Sequence, residues 1–324
     1  MSERSLLDRF NRRVPYAARL LLAAALGLSM LPVVQGAQYY GVLLYHGLFQ
    51  TEAPCSVAKV LRAPARYGEF LRLRDEVGRG AQVVERDAGA GIVRVAAGGT
   101  SFWVREAGDQ MEGLALIPYL IAEHVWMGRM NPAEAVQQGD TVIDCGAHVG
   151  TFTADALARG ARRVVAIEPD ATNLECLRRN FAREIAEERV VLVPKAVWSE
   201  EKMLKFTISD ANSGKGSAVL DSGNRQVEVP ATTIDTLVRE LGIEKVDYIK
   251  MDIEGAERHA LRGGLGTLTR DRPVLLLESY HLPDDAVVLP RVVRQAHTDY
   301  REVCGPCEKP EEDARWRPYA LYYR

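Results

Sequence analysis

The run VIDCGAHVG at residues 142–150 constrains the fold more than any other stretch of the chain. A strand-like apolar segment reaches an acid, Asp144, and is followed by glycines at positions 146 and 150. Strand, glycine turn and helix in this order are typical of parallel sheets, in which ligands bind beyond the carboxyl ends of the strands. The helix N-terminus after the turn offers free N–H groups and partial positive charge to a carboxylate.

Strand-like and helix-like segments alternate from about residue 136 to the end of the chain. Their apolar runs are continuous, as expected for strands buried on both faces of a sheet. The alternation therefore predicts an α/β fold with a doubly wound sheet. The five main strand segments are DTVIDC, RVVAIEP, RVVLVPKAV, KVDYIKMDIEG and RPVLLLESYH. The other predicted elements are the helices at residues 151–159, ATNLECLRRNFAREIA and TIDTLVREL, the edge strands MLKFTIS and RQVEVPA, and the closing segments YREVC and YALYYR.

Three parts are predicted along the chain. Residues 1–50 form an apolar N-terminal segment, residues 51–135 a small α+β accessory region, and residues 136–324 the main domain. In the accessory region, alternating apolar residues on both sides of Gly98 and Gly99 predict a β-hairpin.

The N-terminal segment has no charged residue from Leu20 to Thr51, and arginines precede it. Residues 1–36 alone resemble a secretory signal. Residues 20–34 are short for a spanning helix, which needs about 20 apolar residues. Two apolar arms, 20–34 and 39–49, around a polar break predict instead a hairpin that dips into one leaflet. An arm buried in a homo-oligomer is the remaining alternative.

Glu168 ends the second strand, where an acid can accept hydrogen bonds from both ribose hydroxyls. A dinucleotide site would need Gly-x-Gly-x-x-Gly, but His148 stands at the second glycine's place and would crowd a pyrophosphate. Asp144 and the helix N-terminus suit the amine and carboxylate of an amino acid. A ribose with an amino acid indicates S-adenosylmethionine, and His148 argues against the alternative of a nicotinamide-dependent oxidoreductase.

The chain resembles the FkbM family of S-adenosylmethionine-dependent methyltransferases over roughly residues 115–280. The resemblance is carried by GDTVIDCGAHVGTFT, AIEPDATNLECLRRN, PKAVWSEE, TTIDTL and DYIKMDIEGAE. It implies a class I Rossmann-like methyltransferase fold, a seven-stranded sheet whose last strand is antiparallel. It also implies O-methylation of a hydroxyl on a sugar or polyketide-like acceptor. The cofactor residues that it implies are Asp144, Gly146, Ala147, Gly150, Glu168 and Ala196.

Polar residues follow the fourth and fifth strands. Asp252 directly follows YIKM, and Glu278 and His281 follow VLLL. Because an unpaired carboxylate is costly to bury, Asp252 is predicted to be the central catalytic residue, which removes the proton of the acceptor hydroxyl. His281 and Glu278 are the next candidates for a catalytic role. For Glu254 and Glu257 the alternative is capping of the following helix.

The same three side chains, Asp252, Glu278 and His281, form an alternative Mg²⁺ site, because such a site needs few protein ligands. A metal-free base is the favoured interpretation, since no further carboxylate-rich spacing supports an ion. Cys304 and Cys307 are interpreted as two thiols in a Gly-Pro turn rather than as a zinc or redox site.

The amino-acid composition limits which other functional classes and cellular compartments fit this chain. A net charge of −3 gives no indication of nucleic-acid binding. Five cysteines in 324 residues do not indicate a disulfide framework, and Cys145 in the glycine motif favours a reducing compartment.

The main domain is therefore expected at the cytoplasmic face of a membrane, held through residues 20–49, with a lipid-linked glycan among its acceptors. A catalytically silent membrane scaffold is the last alternative, although no motif is damaged.

Overall fold

A computed structural model describes residue 41 and residues 55–106, 111–209, 213–220, 225–308 and 316–324. The predicted membrane hairpin and its alternatives fall on the N-terminal segment, which lies outside the described residues except for Gly41. Among the helices of the described part, none has the length and apolar character needed to cross a membrane.

The accessory region contains two helices and a small antiparallel sheet. Its elements are α1 (Val57–Gly78), β1 (Gln82–Asp87), β2 (Ile92–Ala97), β3 (Thr100–Arg105) and α2 (Met111–Met130). The predicted hairpin is confirmed, because β2 and β3 pair antiparallel around Gly98 and Gly99. Both glycines have positive φ angles, 57° and 80°, which a two-residue hairpin turn requires. The strand β1, which pairs with β2, was not predicted.

The main domain alternates strands and helices. A short 3-10 turn, Pro132–Glu134, leads into it. Its elements in chain order are β4 (Thr141–Cys145), α3 (Thr151–Ala158), β5 (Arg163–Ile167), α4 (Ala171–Asn180), α5 (Ala182–Ala186), β6 (Val190–Val193), β7 (Ala196–Val197), β8 (Lys202–Ile208), β9 (Arg225–Thr232), α6 (Ile234–Glu240), β10 (Tyr248–Met251), α7 (Glu257–Arg262), α8 (Leu265–Asp271), β11 (Val274–Glu278), α9 (Asp285–Ala296), β12 (Glu302–Cys304), β13 (Cys307–Glu308), β14 (Arg317–Pro318) and β15 (Ala320–Tyr323).

The central sheet has seven strands in the order β12-β15-β11-β10-β4-β5-β6. Strands β11, β10, β4, β5 and β6 are parallel, and β15 is antiparallel to both of its neighbours. The fold implied by the resemblance is confirmed. The chain runs outward from β4 to β6 and then returns to β10 on the other side of β4. This reversal makes the carboxyl ends of β4 and β10 the switch point at which such sheets bind ligands.

Alternate residues of each strand face opposite sides of the sheet. Ile143 of β4 and Ile249 of β10 pack in one core cluster with residues of α6–α9 such as Leu261. Val142 and Tyr248 pack in another cluster with α1–α3. The continuous apolar strands thus reflect burial on both faces, as the sequence predicted.

Three predicted elements, two edge strands and one helix, differ in the structure, and the predicted strand RVVLVPKAV divides into β6 and β7. The segments predicted as edge strands do not extend the central sheet, because β8 and β9 join β7 in a separate three-stranded sheet. That sheet has a buried cluster of its own, which includes Trp198 and Phe206. The helix predicted over ATNLECLRRNFAREIA breaks at Phe181, whose φ of −122° is not helical. Phe181 is buried and packs in a core cluster with Leu177.

Cys55 and Cys307 form a disulfide across a sequence separation of 252 residues. The interpretation of Cys304 and Cys307 as two thiols is therefore wrong for Cys307. Cys304 keeps a free thiol, with its sulfur 3.9 Å from that of Cys307. Spacing along the sequence gave no indication of the pair, because only the fold brings the start of α1 to the end of the chain.

Candidate functional site

A cavity of about 490 Å³ opens at the carboxyl ends of β4, β5 and β10. It is lined by residues of α2, by the loops after these strands, and by residues 213–216 and 218. The predicted site residues that line the cavity are Gly146, Ala147, Glu168, Ala196 and Asp252. The predicted residues that do not line it are Asp144, Gly150, Glu278 and His281.

The two motif glycines are required by the protein's own backbone. Gly146 has φ of 79°, and a Cβ atom there would lie 2.0 Å from the carbonyl oxygen of Asp252. Gly150 has φ of 92°, and a Cβ atom there would lie 2.1 Å from the ring of Phe181. Both positions combine a left-handed conformation with a close approach, which only glycine tolerates. The turn is thus shaped before any ligand is considered.

Glu168 is held by two backbone N–H groups. His148 N donates to its Oε2 atom at 2.9 Å, and Asp170 N donates to its Oε1 atom at 2.9 Å. Burial raises the pKa of Glu168 to about 7. His148 adopts a positive φ of 51°, and its Nε2 atom lies 2.9 Å from Ser213 Oγ. The carboxyl group therefore has one fixed orientation at the cavity wall.

Arg105 of β3 joins the accessory region to this side of the cavity, and sequence reasoning missed it. Its Nη2 atom donates to Asp170 Oδ2 at 2.6 Å. Asp170 also caps α4, since its Oδ1 atom accepts from Thr172 N and Asn173 N. Burial raises the pKa of Asp170, but the hydrogen bond and charge of Arg105 outweigh it and the pKa lies below its ordinary value. Asp170 is therefore ionised and holds the loop after β5.

A buried lysine in β10 organises the loop after β4. Lys250 Nζ lies 3.6 Å from Asp144 Oδ1 and 3.6 Å from Asp252 Oδ2, and it donates to the carbonyl oxygen of Gly146 at 3.1 Å. Burial lowers the pKa of Lys250, but Asp252 and Asp144 outweigh it and raise the pKa above its ordinary value. Lys250 is therefore a cation.

Asp144 lies beneath the cavity and is fully buried. Its Oδ2 atom accepts from Thr153 Oγ1 at 2.7 Å. Its contacts are with Lys250 and α3, so it supports the glycine turn from behind. Sequence reasoning missed Lys250, although a lysine inside the apolar run YIKM was itself an indication of a buried charge.

Asp252 stands between two cations. Its Oδ1 atom lies 3.5 Å from His281 Nε2, on the side away from the Lys250 contact. Burial raises the pKa of Asp252, but Lys250 and His281 outweigh it and lower the pKa below its ordinary value. Its side chain is 26% exposed and faces the cavity. Asp252 therefore presents a carboxylate to a bound ligand.

His281 is enclosed by acids. Its Nδ1 atom lies 3.1 Å from Glu257 Oε1, and its Nε2 atom lies 3.8 Å from Glu254 Oε2. Burial lowers the pKa of His281, but Glu257 and Asp252 outweigh it and raise the pKa to about 10. Glu257 stands in the first turn of α7 and accepts from Ile253 N at 2.8 Å. That N–H lies before the helix, so this contact is not a helix cap.

Polar and aromatic side chains from α2 and the end of the chain complete the cavity. Glu123 accepts a hydrogen bond from the Tyr319 hydroxyl, and burial raises the pKa of Glu123 to about 7. Tyr319 stacks on Tyr280 with ring centroids 4.7 Å apart. Burial lowers the pKa of His124 to about 3, so this histidine is neutral. Sequence reasoning missed Glu123, His124 and Tyr319, which come from distant parts of the chain.

A comparison with protein families matches a methyltransferase profile to part of this chain. The protein-family profile described as "Methyltransferase FkbM domain" matches residues 144–304. The sequence comparison with curated proteins gave no match.

Several solved structures are similar at low identity. The methyltransferase FkbM of Methylobacillus flagellatus KT has 16% identity and a TM-score of 0.44, and the match covers 82% of this chain and 60% of that one. The chain thus spans less than two thirds of that structure. Precorrin-6y C5,15-methyltransferase of Geobacter metallireducens GS-15 has 14% identity and a TM-score of 0.36, with 61% and 85% covered. Trm5b of Pyrococcus abyssi has 13% identity and a TM-score of 0.40, with 72% and 56% covered.

Proposed function

We propose that the chain methylates a hydroxyl group with S-adenosylmethionine as methyl donor, because a methyltransferase FkbM profile matches residues 144–304. The acceptor class is a sugar, a lipid-linked glycan or a polyketide-like molecule. The observation that carries the proposal is that Glu168 and Asp252 line one cavity. Glu168 is suited to bind the hydroxyls of a ribose, and Asp252 is suited to accept the proton of the acceptor hydroxyl.

The residues around Glu168 fit the ribose of the donor. Its two carboxyl oxygens each accept one backbone N–H. A carboxylate oxygen can accept more than one hydrogen bond, so both oxygens keep capacity for the two ribose hydroxyls. Gly146, Ala147 and Ala196 line the same cavity, whereas Asp144 and Gly150 contribute by holding the turn.

Asp252 is placed to take the proton of the acceptor. When bound, S-adenosylmethionine supplies a methyl group on a positively charged sulfur, open to in-line attack by the acceptor oxygen. That oxygen must lose its proton, and Asp252 is an ionised carboxylate at the cavity wall. Its Oδ2 atom beside Lys250 accepts the proton. Tyr280 and Tyr319 give the same cavity an aromatic surface against which a ring of the acceptor packs.

Glu168→Gln is expected to weaken the binding of S-adenosylhomocysteine by about 1–3 kcal/mol, the scale for a lost hydrogen bond to a charged group. The amide keeps the shape of the side chain but replaces one acceptor oxygen by a donor. Isothermal titration calorimetry measures the effect. Glu175→Gln, on the exposed side of α4 where Glu175 pairs with Arg179 at 2.8 Å, is the matched control and should keep native affinity. Equal affinity of both folded variants would mean that the ribose site is elsewhere.

We further propose that residues 20–49 hold the enzyme at the cytoplasmic face of a membrane. The segment is apolar and uncharged, and arginines precede it. Such arginines gain about 1 kcal/mol each near anionic headgroups. A cytoplasmic orientation keeps the cavity in the compartment in which S-adenosylmethionine is made. It also brings the cavity close to a lipid-linked acceptor.

Cell fractionation tests this location. We expect the full chain in the membrane fraction and a chain that lacks residues 1–50 in the soluble fraction. Full-length protein in the soluble fraction would contradict the membrane role. The alternative would then be that the N-terminal segment is buried in a homo-oligomer, and size-exclusion chromatography would measure that oligomeric state. Protease cleavage of the main domain from outside intact cells would contradict the orientation. A mature chain that begins near Ala37 would support the alternative that residues 1–36 are a cleaved secretory signal.

A further inference from the structure

Three potential metal ligands meet at the carboxyl ends of β10 and β11. Asp252, Glu278 and His281 each offer a ligand atom, and these atoms all lie within 4.8 Å of one another. The two strands pair in parallel with Met251 opposite Leu277, so the residues that follow them emerge at one edge of the sheet. Ligand atoms about 2.0–2.2 Å from one ion are at most about 4.4 Å apart. Small side-chain rotations would therefore bring all three into coordination distance.

Two of these side chains are buried with polar atoms that have no hydrogen-bond partner in the described part of the chain. Glu278 is 1% exposed, and its Oε2 atom accepts no hydrogen bond there. The His281 side chain is 2% exposed; its Nδ1 atom pairs with Glu257 Oε1 at 3.1 Å, whereas its Nε2 atom makes no hydrogen bond. A buried polar group without a partner costs about 1–3 kcal/mol. These atoms thus indicate a missing partner.

The orientation of His281 is that of a supported metal ligand. Its Nδ1 atom faces Glu257 Oε1 at 3.1 Å, and its Nε2 atom faces Asp252 Oδ1 at 3.5 Å. Metal-bound histidines commonly direct their second nitrogen at a carboxylate, which fixes the ring. Glu257 is itself held by the N–H of Ile253. The ring is therefore held by Glu257 through Nδ1, with Nε2 turned toward Asp252.

The charges around the three residues also favour a cation. Acidic side chains outnumber the cationic ones in this cluster, as far as the structure describes it, and most are buried. The acids are Asp144, Asp252, Glu254, Glu257 and Glu278, and Lys250 lies between two of them. His281 as a metal ligand would be neutral. Buried carboxylates need pairing charges or metal ions, so a divalent ion would offset charge that Lys250 alone does not.

We propose that Asp252, Glu278 and His281 bind one divalent cation of the Mn²⁺ type at the wall of the cavity. Two carboxylates and one imidazole suit Mn²⁺ or Zn²⁺ better than Ca²⁺. Asp252 is the ligand that lines the cavity, so the hydroxyl of an acceptor reaches the ion from that side. Metal coordination lowers the pKa of a bound oxygen, and Asp252 Oδ2, beside Lys250, remains to take the proton.

The role of the ion rests on the proposed methyl transfer, whereas binding of the ion does not. The sequence favoured a metal-free base because it showed no further carboxylates at regular spacing. The fold supplies the further carboxylates that a metal site needs, because it brings Glu254 and Glu257 beside His281.

Binding of Mn²⁺ to the full-length protein tests the site. Protein stripped with EDTA is titrated with MnCl₂, and free Mn²⁺ is measured by electron paramagnetic resonance. We expect one Mn²⁺ per chain, with affinity reduced at least about tenfold in Glu278→Gln and in His281→Asn. Asp284→Asn is the matched control, since Asp284 follows the same strand but is exposed and paired with Arg258, and it should bind Mn²⁺ like the native protein. Circular dichroism verifies that each variant is folded.

Two results would overturn the proposal. One is a folded native protein that binds no stoichiometric Mn²⁺. The other is Mn²⁺ binding that Glu278→Gln and His281→Asn leave unchanged. Calorimetry with S-adenosylhomocysteine on the same samples separates the ion-binding hypothesis from the proposed function. If the protein binds this ligand but no Mn²⁺, the ion-binding hypothesis is wrong and the proposed function stands. If it binds Mn²⁺ but not this ligand, the proposed function is wrong and the ion-binding hypothesis stands.

Discussion

Asp252→Asn is expected to lower turnover by about 10²–10⁴-fold, the range attributed to a positioned general base. The amide keeps the size of the side chain but loses the charge and the capacity to accept a proton. Asp252 is the acid that the structure places at the cavity wall between Lys250 and His281. Affinity for S-adenosylhomocysteine should change far less, because the proposed ribose ligand is Glu168.

The measurement is turnover with the true acceptor, identified by incubating cell extract with labelled S-adenosylmethionine. Asp299→Asn, whose side chain is 76% exposed, is the matched control and should keep native turnover. Near-native turnover of Asp252→Asn would remove Asp252 from the chemistry. EDTA treatment of the native enzyme separates the two roles of Asp252: activity lost and then restored by Mn²⁺ supports the ion, and activity unaffected by EDTA supports a metal-free base.

Lys250→Met is expected to lower the free energy of unfolding by about 3–5 kcal/mol, the cost of leaving a buried charge without its partner. Asp144 would lose the cation 3.6 Å from its Oδ1 atom and has no exposure to water. The carbonyl oxygen of Gly146 would lose a hydrogen bond as well. Urea unfolding followed by circular dichroism measures the change in midpoint and slope.

Lys245→Met is the control for this prediction. Lys245 also pairs with an aspartate, Asp247, at 2.6 Å, but its side chain is 65% exposed. An exposed ion pair contributes about 0–1 kcal/mol, so the control should unfold close to the native midpoint. Adding Asp144→Asn to Lys250→Met should restore part of the loss, because the two residues interact directly. Equal losses for Lys250→Met and Lys245→Met would show that the buried lysine has no special role.

The parts of the fold that were predictable depend on local information. The loop after β4 was recognised because Gly146 and Gly150 follow an apolar strand, and both have the positive φ angles that favour glycine. Glu168 was found in the same way, from its place at the end of the next strand. The break at Phe181 was not predictable, because the helical pattern continues through it. In the fold the Phe181 ring is buried beside Gly150, a contact between distant residues that no local pattern indicates.

The other half of the site depends on contacts between distant residues. Arg105 lies 65 residues before Asp170 in sequence, and Tyr319 lies 196 residues after Glu123. No periodicity links such pairs, since each belongs to an element whose own pattern is satisfied without the other. The three-residue grouping of Asp252, Glu278 and His281 was foreseen only because parallel strands end at a common edge. The acids that surround His281 became visible only in the fold.

The disulfide between Cys55 and Cys307 changes the topology of the whole molecule. It joins positions 252 residues apart, so the oxidised protein is a covalent ring with two tails and the reduced protein is a linear chain. A ring has fewer unfolded conformations than a line, which stabilises the folded state relative to the unfolded one. A single backbone cut inside the ring would leave two fragments that migrate together on a non-reducing gel and separate after reduction. The covalent state of this bond can thus be read from the mobility of a nicked chain.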